Sequence, residues 1–174
     1  MIIEILKHIG RFFFLLLLQL FILNNIQLSG YINPYLYILF VMTLPFETPV
    51  WIVLFSSFSM GILIDMFSDT HGLHASVCVL LAFVRKPVLR FISPREGYDS
   101  TAMPTLNYLG FGWYMWYAGL MVFIHHFTFF YLEAFRFSEF FKTFWRVLCS
   151  GVLTLLLIFI YQYLTFRQVR SAKK

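Results

Sequence analysis

The stretch VWIVLFSSFSMGILIDMF, from Val50 to Phe67, contains a single ionisable side chain, that of Asp65. An α-helix of about this length and apolarity is what crosses the hydrocarbon core of a bilayer, which is about 30 Å thick. The rest of the chain has the same character, because 60% of its 174 residues are hydrophobic and only 12% are charged, about half the charged fraction of a soluble domain. The sequence therefore predicts one all-α integral-membrane domain.

Apolar runs separated by Pro, Gly and charged residues divide the chain into six predicted spans. These are 9–28, 31–44, 50–67, 72–92, 109–132 and 147–166. The second span is unusual, because the segment between Pro34 and Pro45 provides only about 15 Å of helix, roughly half of the hydrocarbon core. We expect a six-helix bundle with a short or kinked second helix, and a re-entrant segment that does not cross is the alternative.

The positions of Lys and Arg favour six crossings with both termini in the cytoplasm. If the second span crosses, ten of the thirteen basic residues share one face, and Arg136, Lys142 and Arg146 lie on the other. If it does not cross, the split is five against eight. Because cytoplasmic loops are enriched in positive charge, the uneven split predicts a multi-pass protein that crosses the membrane six times and has both termini in the cytoplasm. The net charge of +5 comes from tracts that flank spans, so nucleic acid is not a predicted partner.

The segment 133–146, between the last two spans, carries charged and aromatic side chains at helical spacing. On a helix its charges fall on one half of the surface and most of its aromatic side chains on the other. We expect an amphipathic helix on the outer membrane surface, which lies in the headgroups or docks another membrane protein. The aromatic half is the candidate partner surface, made of Phe137, Phe140, Phe141, Phe144 and Trp145.

Ionisable residues also cluster where the third span meets the fourth. The candidate polar cluster consists of Asp65, Asp69, His71, Gly72 and His74. A buried carboxylate must be paired, hydrogen-bonded or protonated, so we expect Asp65 to pair with His71, His74 or backbone N–H groups. A polar ligand or proton site and a metal site are the alternatives, although the spacing matches no known metal motif.

Other residues in the spans are assigned to capping and packing. Asp69 or Thr70 is expected to cap the fourth span, and Arg85 and Lys86 are expected to snorkel towards the interface. Interhelix hydrogen bonding is the preferred role of the pair 125–126, both histidines. Small residues predict close helix contacts in the third and fifth spans, and these are Ser56, Ser57, Ser59, Gly61, Gly110, Gly112 and Gly119.

The sequence contains no motif of a known catalytic or cofactor site. It has no Gly-rich phosphate loop, no HExxH, no G-x-S-x-G and no dinucleotide fingerprint. We therefore predict a protein that is not an enzyme and binds no cofactor or metal.

The block from Gly61 to Pro87 resembles the rod shape-determining MreD family. It reads G-x-x-x-D, then H-G-L-H-A, then an aromatic residue followed by x-R-K-P. Chain length, the short Pro-bounded second span and the basic tail extend the likeness to most of the chain.

The resemblance implies a non-enzymatic inner-membrane subunit of the bacterial cell-elongation machinery. Such proteins associate with the bitopic protein MreC, and through it with the MreB cytoskeleton and with the RodA and penicillin-binding-protein synthases that extend peptidoglycan. The family is also similar in fold to the substrate-binding components of vitamin transporters. A small-molecule-binding or transport subunit with a polar site around Asp65 and His74 is therefore the alternative, and handling of a lipid intermediate is a third hypothesis.

Overall fold

The computed structural model describes residues 2–26, 31–99, 102–135 and 139–171, with side chains as far as residue 165. Within these ranges the regular secondary structure is helical, apart from an isolated bridge at Ile32. The elements are α1 (Ile2–Phe21) with a short 3-10 turn after it (Leu23–Asn25), α2 (Ile38–Met42), α3 (Val50–Ser68), α4 (Leu73–Phe91), α5 (Leu106–Ala134) and α6 (Phe140–Ser171). Four of them, α1 with its extension, α3, α5 and α6, are long and apolar enough to cross a membrane. The prediction of an all-helical membrane protein is confirmed.

The helices form a bundle with two distinct ends. At one end, which we call the junction end, Asn24 donates a hydrogen bond to the hydroxyl of Ser68 over 3.0 Å. At the opposite end, the loop end, the ring of Phe46 stacks on Tyr98 with centroids 4.2 Å apart. Helices α3 and α4 pack as one hairpin and α5 and α6 as another, while α4 also packs on α5. This arrangement leaves an interior space that the second span fills.

Helix α2 is only five residues long and lies in the centre of the bundle. None of its residues is more than 4% exposed. The chain enters it from the junction end, where the hydroxyl of Tyr31 donates to the carbonyl of Lys142. It leaves at the loop end, where Pro45 leads into Phe46. The short second helix is confirmed, and the segment from Tyr31 to Pro45 runs from one end of the bundle to the other.

The non-helical backbone before α2 is hydrogen-bonded by side chains of the long helices. The amide of Gln19, which is fully buried, accepts from Leu36 N at 2.9 Å and donates to the carbonyl of Pro34 at 3.0 Å. Tyr35 N donates to the hydroxyl of Thr154 at 3.1 Å. Irregular backbone is tolerated at membrane depth only where protein encloses it and satisfies its polar groups, so these bonds are what permits the break.

The carbonyl groups after α2 are satisfied in the same way. Tyr117 donates its hydroxyl proton to the carbonyl of Met42 over 3.0 Å. The guanidinium of Arg85 donates to the carbonyls of Leu44 and Pro45. A buried cation needs hydrogen-bond acceptors in place of water, and these two carbonyl oxygens provide them.

The prediction that Arg85 snorkels is therefore wrong. Its side chain is only 3% exposed, whereas Lys86 beside it is exposed. The physical reason is that α4 continues through Pro87 to Phe91, which keeps Arg85 below the end of the helix and turned towards α2.

A separate surface helix over 133–146 is also not observed. Helix α5 continues to Ala134, Phe135 takes a left-handed conformation with φ 41°, and α6 begins at Phe140. No breaker separates the amphipathic pattern from the apolar run after Val147, so both become one helix. Part of the predicted segment, 136–138, lies outside the described residues.

The small residues of α5 do not produce the predicted close contacts. A Cβ on Gly112 or Gly119 would meet no heavy atom within 4 Å. Gly110 instead interrupts α5 with φ 80° and ψ 171°. Because this φ favours glycine, Gly110 serves a bend rather than an interface.

Candidate functional site

The carboxylate of Asp65 joins the end of α3 to the beginning of α4. Its Oδ1 accepts from His74 N at 2.9 Å, and its Oδ2 accepts from Ala75 N at 2.8 Å. The hydroxyl of Thr70 donates to Oδ1 over 2.6 Å. The first N–H groups of a helix have no partner within it, and Gly72, at the N-cap position, has no side chain to offer. Asp65 therefore caps α4 from the neighbouring helix.

This geometry decides between the predicted pairings of the candidate polar cluster. Pairing of Asp65 with backbone N–H groups is confirmed, and capping of α4 by Asp69 or Thr70 is wrong. Asp69 instead ends α3 in a left-handed conformation with φ 52°. Asp69 and His71 are exposed, whereas His74 is buried. In the described ranges, no three His, Cys, Asp or Glu side chains are grouped so that they could hold a metal ion.

Gly61 lies one helical turn before Asp65 and brings the two helices into backbone contact. A Cβ built on it would lie 2.7 Å from both the nitrogen of Ala75 and the carbonyl oxygen of His74. Real Cβ atoms do not approach other atoms so closely, so only glycine fits. The close contact predicted for Gly61 is confirmed, and G-x-x-x-D acts as a unit that packs α3 on α4 and caps α4.

A buried hydrogen-bonded chain extends from His74 into the bundle. The hydroxyl of Tyr37 lies 2.9 Å from His74 Nδ1 and 2.6 Å from His125 Nε2. His126 Nε2 lies 3.0 Å from the hydroxyl of Thr154. Adjacent helical residues point about 100° apart, which is why the two histidines contact different partners. Their predicted hydrogen bonding between helices is confirmed.

Sequence reasoning missed two polar side chains of this interior, Gln19 and Tyr37. Gln19 is a single amide within the apolar run of α1, and buried polar groups inside a span usually have a specific partner. That signal was available. Tyr37 gave none, because its partners become apparent only once α2 is placed between α4 and α5.

A cavity of about 300 Å³ opens at the junction end beside His74. Its polar lining residues are Asn24, Asn25, Asn33, Ser68, Thr70, His74 and Glu133, and Tyr35 and Phe129 supply aromatic surface. Only Nδ1 of the His74 ring has a hydrogen-bond partner in the residues that the structure describes. Glu133 is neutralised by Arg146, with 2.5 Å between Oε2 and Nη1. The cavity can therefore hydrogen-bond a small polar molecule without attracting a strong charge.

The candidate partner surface is largely exposed at the start of α6. Phe141 is 84% exposed and Trp145 is 64% exposed. Phe140 is partly covered by Tyr131, with ring centroids 5.3 Å apart, and Phe144 is half-buried. Phe137 lies outside the described residues. Two large aromatic side chains one turn apart thus face away from the bundle.

Both cysteines are unpaired, Cys78 in the core and Cys149 half-buried.

No family model matches the chain, and no curated protein or solved structure is significantly similar to it. The chemistry of the polar cluster, the cavity and the exposed aromatic surface is therefore what supports a function.

Proposed function

We propose that the chain is a non-enzymatic multi-pass subunit of the bacterial cell-elongation machinery in the inner membrane. Three residues of the block that resembles the MreD family have one structural role. Gly61 sets the distance between α3 and α4, and Asp65 caps α4 next to His74. These residues contact one another in space, so the residues that carry the resemblance form one structural unit, and this supports the proposal.

Six crossings with both termini in the cytoplasm agree with the direction of α2. The segment from Tyr31 to Pro45 passes from the junction end to the loop end, so we count it as a crossing. The basic residues of α4, Arg85, Lys86 and Arg90, lie towards the loop end. The positive-inside rule then makes the loop end cytoplasmic and the junction end external.

The observation that carries the proposal is the enclosure of α2. Side chains from α1, α4, α5 and α6 hydrogen-bond the backbone on both sides of this helix. Hydrogen bonding of this backbone from four helices favours one rigid arrangement, which suits a protein that holds its neighbours in place. The exposed Phe141 and Trp145 give this rigid body an external surface for a membrane partner.

The resemblance implies that this partner is an MreC-like bitopic protein, linked in turn to MreB and to RodA and the penicillin-binding-protein synthases. We expect Phe141→Ala combined with Trp145→Ala to reduce recovery of the partner about tenfold or more, because exposed aromatic anchors carry much of the binding energy at interfaces. The measurement is copurification of the full chain from cells in mild detergent, with mass spectrometry of the recovered proteins.

The matched control is Phe111→Ala combined with Trp116→Ala. These side chains are 60% and 70% exposed on α5, away from the partner surface, and their removal should leave recovery unchanged. An equal loss in both double variants, or recovery of no bitopic partner by the wild-type chain, would contradict the proposed surface. Rod-shaped cells that keep their shape when the protein is depleted would contradict the proposed function.

The cavity at the junction end favours a second candidate, a subunit that binds a small molecule. Its volume of about 300 Å³ lies at the lower limit for small-molecule sites. The neutral lining of amides, hydroxyls and His74 favours an uncharged molecule with several hydrogen-bonding groups. Partly enclosed sites of this kind, beside broken helices, are common in transporters.

Retention of a small molecule distinguishes this candidate. We expect the wild-type chain, purified in mild detergent, to carry a non-lipid molecule in native mass spectra and to lose it in Ser68→Phe, which fills the cavity. Ser59→Phe introduces the same ring elsewhere on α3, at a position that does not line the cavity, and should retain the molecule. Wild-type protein without any such molecule would argue against a binding subunit and leave the first proposal intact.

A further inference from the structure

A second cavity lies at the loop end, between α3 and α4. Its volume is about 190 Å³, roughly six times the volume of a water molecule in the liquid. The cationic lining residues are Arg85, Lys86 and Arg90, and Thr48 and Val50 border it where α3 begins. Three cations in the last two turns of α4 thus line one small space.

These cations have no carboxylate partner in the described part of the chain. Glu47 lies in the connection between α2 and α3 but does not line the cavity. Arg85 is only 3% exposed; its Nη2 donates to the carbonyls of Leu44 and Pro45, but its Nε has no hydrogen-bond partner. Buried charge without a counterion is costly, so the lining is suited to receive an anion.

The beginning of α3 adds a hydrogen-bond donor to the same cavity. Pro49 occupies the N-cap position and provides no side-chain hydrogen bond. The N–H group of Val50, a residue that lines the cavity, has no acceptor within the described ranges, whereas Ile52 and Val53 donate to Pro49 O. A helix N-terminus with free N–H groups and partial positive charge favours phosphate and similar anions.

The C-terminal end of α4, whose carbonyl groups carry partial negative charge, does not cancel the positive charge of the cavity. Carbonyls near this end already accept hydrogen bonds, and Leu89 O accepts from the hydroxyl of Tyr98 at 2.7 Å. Ile92 O, just beyond the helix, accepts from the indole of Trp113 at 2.9 Å. The cavity therefore retains a positive character despite its position near a helix C-terminus.

Apolar surface next to the cavity indicates where the anion comes from. Phe83 on α4 lines the cavity and is 65% exposed, and Val50 at the start of α3 lines it and is 42% exposed. In a membrane these side chains contact acyl chains beside the three cations. A soluble anion would gain nothing from them, but a phospholipid has both a phosphate and acyl chains.

From these observations we propose that the cavity between α3 and α4 binds the phosphate of an anionic phospholipid. The phosphate lies between the cations of α4 and the N–H group of Val50, and the acyl chains follow the exposed ring of Phe83 towards the bilayer centre. This proposal depends on the membrane location of the helices and not on the partner protein proposed above.

Lipid retention by the purified full chain tests the proposal. The protein in mild detergent is mixed with equal amounts of phosphatidylglycerol and phosphatidylcholine, and native mass spectrometry counts the lipids retained. Wild type should retain phosphatidylglycerol preferentially. Each Lys or Arg near a membrane surface contributes about a fivefold gain in affinity for anionic lipid, so Lys86→Gln with Arg90→Gln should weaken retention about thirtyfold. Both side chains are exposed, so the fold should persist.

The control is Lys7→Gln with Arg95→Gln, which removes the same charge from exposed positions outside the cavity. It should leave phosphatidylglycerol retention unchanged. Equal losses in the two double variants, or equal retention of both lipids by wild type, would overturn the proposal. Thermal stabilisation by inorganic phosphate that matches stabilisation by phosphatidylglycerol would assign the site to a soluble anion and overturn the lipid assignment.

Discussion

Asp65→Leu should destabilise the protein by about 3 kcal/mol or more and sharply reduce its abundance in the membrane. The substitution removes the acceptor of three donors, the N–H groups of His74 and Ala75 and the hydroxyl of Thr70. Each buried donor left without a partner costs about 1 to 3 kcal/mol. The measurement is the thermal unfolding of the full chain in detergent, together with the amount of protein in isolated membranes.

Asp65→Asn separates hydrogen bonding from charge. Its amide oxygen can still accept from His74 N, so we expect this variant to be tolerated with a much smaller loss than Asp65→Leu. Glu47→Leu is the matched control, because Glu47 is an exposed carboxylate in the connection before α3 and lies outside the junction. If Asp65→Leu unfolds at the same temperature as Glu47→Leu, then Asp65 does not hold the junction between α3 and α4.

The sequence predicted the parts of the fold that depend on local composition. The apolar run from Val50 to Phe67 predicted α3 to within one residue at its C-terminal end. Pro34 and Pro45 predicted that the second helix is short, because a proline inside a helix removes a hydrogen bond and clashes with the preceding turn, whatever the tertiary structure. Gly61 and Asp65 were recognised as the packing and polar positions of the third span, since few side chains other than apolar ones occur there.

The partners of these residues could not be predicted in the same way. Asp65 accepts from backbone groups of α4, and backbone donors leave no trace in the choice of amino acids. Arg85 was assigned to the interface because its charge suggests water, but the carbonyls of Leu44 and Pro45 replace water in the interior. The start of α6 was misjudged because amphipathic and apolar segments can share one helix without a break.

Gly61→Ala should strongly destabilise the packing of α3 on α4. The new Cβ would lie 2.7 Å from Ala75 N and from His74 O, and both are backbone atoms of α4, which cannot rotate away as a side chain can. Overpacking in a closely packed interior costs about 1 to 3 kcal/mol and sometimes more, and here the backbones of α3 and α4 must separate. That separation also lengthens the hydrogen bonds of Asp65, so we expect a loss at the upper end of this range.

Gly119→Ala is the matched control for Gly61→Ala, because it places the same methyl group on α5 where no heavy atom lies within 4 Å. Alanine is favoured over glycine in a helix by about 0.5 to 1 kcal/mol, so this variant should be as stable as the wild type or slightly more stable. The same added methyl group is therefore expected to lower the unfolding temperature at position 61 and to leave it unchanged or raise it at position 119. A Gly61→Ala protein as stable as Gly119→Ala would mean that α3 and α4 are not in backbone contact, and that Asp65 cannot reach the first turn of α4 in the way described.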